Sequence, residues 1–257
     1  MMKKQHSLLT TINKASVSIT FLLCTSLHLA GCGGIKDADK IANAQACIDS
    51  STSATVNSCL SKIDGLESKS AYLLRCVAKF IEDGFNESTR LSQVFQQISN
   101  TSGASQGVQV MSILGFKNGA TMAINKSNAA QALTYCQNSE SKGLIMLSAL
   151  ASTATTLSAF AVDSGISQCT TLDSTCLTNA LNSDTVKNNP DAQALVGNAA
   201  IAAYNSNCTN GNTSSGSFCQ QFGSAITQAG GSSNSASVGS QIMTCYSNPA
   251  AAGCKGF

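Results

Sequence analysis

Three groups of side chains in this 257-residue chain sit at spacings that chemistry could use. Ser139-Glu140-Ser141-Lys142 sets a hydroxyl and an amine three residues apart. On a helix that spacing puts a nucleophile and its base on one face. Glu82-Asp83, with Glu87 nearby, could supply the paired carboxylates that glycoside hydrolysis needs. Asp37-x-Asp39 could hold a cation through carboxylate oxygens. Each group also has a plainer reading. The first is a solvated turn, the second a wet helix end beside Gly84, the third a helix cap.

The missing residue types weigh more. The chain has two histidines, His6 and His28, both near the start. Beyond them no imidazole is left for a Ser-His-Asp or Cys-His mechanism, a general base or a metal ligand. No Cys-x-x-Cys pair suits disulfide exchange, and no phosphate loop, dinucleotide fingerprint or EF-hand loop occurs. Ser139-x-x-Lys142 resembles the first motif of penicillin-binding proteins and serine lactamases. Its companions, Ser-Asp-Asn and Lys-Thr-Gly, are absent. No catalytic residue, metal ligand or cofactor site is therefore assigned, and the expectation is a non-enzyme. The competing expectation is a hydrolase of the cell envelope working through carboxylates or the Ser/Lys pair.

The beginning of the chain reads as an address. Lys3, Lys4 and Lys14 make a basic start, and 15–30 is mostly apolar with no Lys, Arg or acid. Leu29-Ala30-Gly31-Cys32 follows, and this resembles the lipobox of bacterial lipoproteins. The resemblance implies a signal peptide over 1–31 that is removed. It also implies a diacylglycerol and an acyl chain on Cys32, and anchorage in a membrane. Two or three chains give a lasting anchor, whereas one is marginal. Gly33 is not the Asp that retains such proteins at the inner membrane, which leans toward the outer one.

Without that leader, twelve basic residues face thirteen acids, a formal charge of −1. No basic stripe exists for nucleic acid or anionic lipid. Charged residues are 11% of the chain, so Ser, Thr, Asn and Gln must supply most of the wet surface. Aromatic residues are 5%, with Tyr72, Tyr135, Tyr204 and Tyr246 scattered, thin for a platform that stacks sugars or peptides.

Ten cysteines remain beyond Cys24 and Cys32. An even count in an exported chain reads as a disulfide framework. Connectivity does not follow from sequence. Because short loops close at least entropic cost, the working scheme joins neighbours: Cys47–Cys59, Cys76–Cys136, Cys169–Cys176, Cys208–Cys219 and Cys245–Cys254.

The elements that must position these residues are helical. Ile41, Ala44 and Ile48 share one face, as do Val56, Leu60 and Ile63, with Gly65 as a stop. Leu73, Val77, Phe80 and Ile81 mark a third helix stopped at Gly84. Asn86 opens a fourth, carrying Leu91, Val94, Phe95 and Ile98. Thr101 to Gly107 reads as a loop, and a helix is expected over 120–136. Residues 143–162 hold no charge and could span a bilayer, but six are Ser or Thr and five are Ala. A buried central helix is the first expectation and a membrane-inserting segment the alternative. Asn189-Pro190-Asp191 should open another helix, lined by Leu195, Ala199, Ala202 and Ala203. Thr209–Ser217 and Gly230–Ser240 read as low-complexity loops. Helical hairpins in series resemble a repeat array, but no fixed 34-residue period appears.

The expected fold is all-α: an irregular bundle or array of helical hairpins, disulfide-stapled, with Ser/Gly/Asn-rich loops. Residues 32–36 form a lipidated tether, 37–162 a helical domain, and 163–257 a small-residue, cysteine-rich region of the same or a second domain. The functional expectation is a membrane-tethered envelope lipoprotein that binds or braces a protein partner and no nucleic acid.

Overall fold

Capping side chains, small-residue faces and glycine stops turn most of the chain into helix. The structure, a computed structural model, describes residues 35–86, 90, 92–93, 104–166, 169, 171–208, 216–255 and 257. Cys32, the lipobox and most of the expected fourth helix lie outside them. Among the described residues every regular element is a helix and none is a strand. The protein is all-α and disulfide-stapled.

Helix α1 (Ile35–Asp49) starts inside the expected tether, with Asp37 in its first turn, where the helix dipole favours an acid. It buries Ala44 and Ile48 against α2 (Val56–Cys59), a 3₁₀ turn (Leu60–Ile63) and α3 (Lys69–Glu82). Gly65 and Gly84, at φ of 75° and 83°, take the left-handed turns after the 3₁₀ segment and after α3. The Ser68 hydroxyl caps α3 by accepting from the Ala71 N–H. Arg75 on α3 donates back to the Ile63 and Leu66 carbonyls at 2.8 and 2.7 Å, closing the loop onto the helix.

The later elements stack in order. Helix α4 (Ala104–Leu114) and the hairpin of α5 (Met122–Ser139) and α6 (Lys142–Asp163) come first. Then follow α7 (Ser174–Asn182), α8 (Asp184–Lys187), α9 (Pro190–Asn207), α10 (Gly216–Gln228) and α11 (Ser235–Ser247). The main packing runs α3 on α5, α5 on α6, α6 on α9 and α9 on α11. The largest core cluster joins Val108, Met111 and Leu157 to Leu177, Val196, Ile242 and Met243. Residues 163–257 thus share a core with the preceding helices, and Gly34–Phe257 is one compact unit.

Helix α6 is long and apolar enough to cross a membrane, yet 78% of its most apolar window is buried inside the fold. Two of its hydroxyls enter the core bonded to their own helix. Ser148 donates to the Ile145 carbonyl at 3.0 Å, and Thr155 to the Ala151 carbonyl at 2.7 Å. Thr155 also accepts the Phe116 N–H at 2.8 Å, which satisfies a buried backbone donor outside the helix.

Three expected loops are corrected. Residues 104–107 belong to α4, Gly216 and Ser217 open α10, and α11 begins at Ser235. At α11 the Asn234 side chain accepts from the Ser237 N–H, so an Asn inside a Ser/Gly run is a helix cap. The Asn189 cap and Pro190 start of α9 are as the sequence indicates.

Helices α9 and α11 touch backbone to backbone. A Cβ on Gly197 would lie 1.8 Å from the Ser235 carbonyl oxygen, and one on Gly239 would lie 1.8 Å from that of Gln193. Each glycine leaves room for the other helix, while Ala199 and Ala203, on another face of α9, pack against Ala149 of α6.

Candidate functional site

The ten cysteines form the most extended chemical feature. The structure joins Cys47–Cys59, Cys76–Cys136, Cys169–Cys176, Cys208–Cys219 and Cys245–Cys254, with Cα separations of 4.6 to 5.6 Å. Cys76–Cys136 ties α3 to α5. The others clip local turns and hairpins. A cysteine held in a disulfide offers no thiolate to a metal or substrate. Among the described residues no group of three or more His, Cys, Asp or Glu could hold a metal ion.

The Ser/Lys pair does not form the helical arrangement its spacing suggests. Ser139 ends α5, Glu140 turns left-handed at φ 58°, and Lys142 opens α6. The helix breaks between the two residues, so they share no helical face. The Ser139 hydroxyl donates to the Cys136 carbonyl at 2.7 Å and accepts the Ser141 N–H at 3.2 Å, a local cap with no contact to the Lys142 amine. Lys142 is exposed.

The carboxylates are not a wet pair either. Glu82 faces Lys79 at 2.9 Å, whereas its neighbour Asp83 is 4% exposed. Asp83 Oδ2 accepts from Arg90 Nη1 at 2.7 Å, and Oδ1 accepts the Lys117 and Asn118 N–H groups at 2.8 and 2.9 Å. Arg90 further donates from Nε to the Ile113 carbonyl at 2.9 Å and from Nη2 to that of Gly115 at 2.6 Å. It also donates to the Asp83 carbonyl and lies 3.7 Å over the Phe85 ring. One buried ion pair therefore fixes the end of α3 against the end of α4 and the turn before α5.

Burial pushes the Asp83 carboxyl above its ordinary range, against the opposing pull of Arg90 and the backbone donors. Loss of water pushes the Lys117 amine below its ordinary range, and the Arg90 cation adds to this while Asp83 opposes it. With its oxygens committed to the clamp, Asp83 holds the fold and presents no carboxylate to a substrate.

The candidates also lie apart. Glu140 pairs with Lys69, at the start of α3, at 2.5 Å. Glu82 and Asp83 lie at the other end of that helix, about 20 Å along its axis. Asp37 faces Lys40 at 3.9 Å on the exposed side of α1, and Asp39 is exposed. The sequence reading missed Arg90, Lys117 and Asn118 as partners of Asp83. One signal was available: Arg90 is the sole basic residue between Lys79 and Lys117.

Two adjoining open grooves, of about 440 and 520 Å³, run beside α10 and share Gln228. Their linings are carboxamides, hydroxyls and small residues, with Lys255 as the one ionised side chain. No protein-family model, curated protein or solved structure matches the chain.

Proposed function

We propose that this chain is a lipid-anchored protein of the bacterial envelope that serves as a non-enzymatic binding or bracing module. The pairing of all ten cysteines beyond Cys32 carries the reading. Such bridges form and persist in oxidising compartments, and the basic, apolar, lipobox-ended leader supplies a route to one. The commitment of Asp83 to a structural clamp and the separation of the Ser/Lys and carboxylate pairs support a module over a hydrolase. Burial of α6 supports a folded domain on a lipid anchor over a helix inserted in the bilayer. Gly33 favours the outer membrane.

The test is radiolabelled palmitate fed to cells making the wild-type chain and Cys32→Ala. Label should enter the first and not the second, and a carbonate wash should release the second from membranes. Label in Cys32→Ala would remove the anchor from the proposal, and a variant that has lost its leader yet resists the wash would return residues 143–162 to the bilayer.

A further inference from the structure

From Ala192 to Cys254 the chain has 63 consecutive residues without one Asp, Glu, Lys, Arg or His, although charged residues are 11% of the whole. Helix α9 after its first two residues, and the whole of α10 and α11, lie in this stretch. The two grooves are built almost wholly from it. We propose that this double groove is a binding site for a neutral glycan.

The first groove presents Gln193, Ser237 and Ser240, the second presents Tyr204, Gln220 and Thr227, and Gln228 stands between them. Amides and hydroxyls both donate and accept, so they match sugar hydroxyls and acetamido groups in either sense. A neutral ligand loses no ionic hydration on entering, whereas an anion would find Lys255 alone and a cation no carboxylate. The site is not an aromatic stacking platform. Its one lining ring is Tyr204, half-buried, and Gly223 lets α10 come close to that side chain. A Cβ at Gly223 would sit 3.1 Å from the ring edge and 3.3 Å from the hydroxyl.

The walls are fixed before any ligand arrives. The Gly197–Gly239 crossing sets the spacing of α9 and α11. Cys208–Cys219 clips α10, whose Cys219 lines the second groove, and Cys245–Cys254 clips the final turn to α11. Gln241 donates to the Ala252 carbonyl at 2.7 Å across that clip. A prefixed site spends less of the binding energy on ordering itself, which helps a hydroxyl-rich ligand that must give up bound water.

The inference rests on the envelope reading for where such a glycan would be met, but its test does not use the anchor. The full chain, purified in a neutral detergent, is titrated calorimetrically with tetra-N-acetylchitotetraose. Saturable binding is expected, with the same affinity at about 50 and about 500 mM salt, because no ion pair forms. Gly223→Leu fills the second groove, and Gln228→Ala removes the shared amide from an exposed position that the fold does not need. Each should weaken binding by roughly fivefold or more. No heat at millimolar ligand, equal affinity in Gln228→Ala, or loss of binding with salt would overturn the proposal. Binding without palmitate on Cys32 would leave the groove standing and remove the anchor. Palmitate without binding would do the reverse.

Discussion

The α3–α4 junction and the α9–α11 crossing solve one problem, fixing one segment against another, by opposite means. At the junction a buried carboxylate and guanidinium bond to each other and to the backbone of two further segments. At the crossing no charge takes part. Two glycines let the backbones meet, and disulfides hold the flanks. The first device is directional and costs desolvation, so it fails when one partner is removed. The second is steric and tolerates no added atom. A chain with few charges has placed one pair where three segments converge and has left its last helices to contact alone.

Removing one member of the pair is the harshest way to break the first device. Asp83→Ala leaves the guanidinium in a buried site without its carboxylate, and chemical denaturation should show a loss of about 3–5 kcal/mol. A loss below about 1 kcal/mol would mean that water reaches the site and the contrast is overstated.

Adding one methyl group tests the second device. Gly197→Ala must push α11 away from α9, and overpacking should cost about 1–3 kcal/mol, at the upper end because the obstacle is backbone. Gly143→Ala makes the control, since nothing lies within 4 Å of its added Cβ. Equal thermal stability of the two variants would refute the backbone contact.

Between the two regions stands α6. Thr155→Val keeps the shape and deletes the hydroxyl that accepts the Phe116 N–H, so a loss of about 1–2 kcal/mol is expected in the same denaturation experiment. An unchanged midpoint would show that the Phe116 amide has another partner.

The last effect sharpens the charge-free region and appears only in alkali. Burial pushes the Tyr246 hydroxyl up to about 12. A folded value above the unfolded value of about 10 means stability that is present below pH 10 and lost as pH climbs toward 12. An ultraviolet titration should show one phenolate appearing near pH 12. In Tyr246→Phe the alkaline loss of stability over that window should shrink.

How much of this was legible follows from what each feature depends on. The helices were readable where local chemistry decides them. Gly65, Gly84, Asn189 and Pro190 act on their own neighbourhoods. The helical starts at Ala104, Gly216 and Ser235 were hidden because Ser and Gly suit loops by intrinsic preference, and packing overrides that preference. The same holds for the Ser139–Lys142 break, where a left-handed Glu140 interrupts a spacing that looked helical. Asp83 was misjudged because its partners lie 7, 34 and 35 residues away, beyond the reach of any local pattern. The grooves were invisible for the same reason: their linings are ordinary Gln, Ser and Thr brought together by the fold.

The order of the cysteine pairs has a consequence for how the chain acquires its covalent form. Each thiol is bonded to the next one along the polypeptide, so no bridge encloses or interlocks with another. A chain threaded through a translocation pore, amino end first, would offer an oxidant one native couple at a time. Correct wiring would then need neither proofreading nor reshuffling.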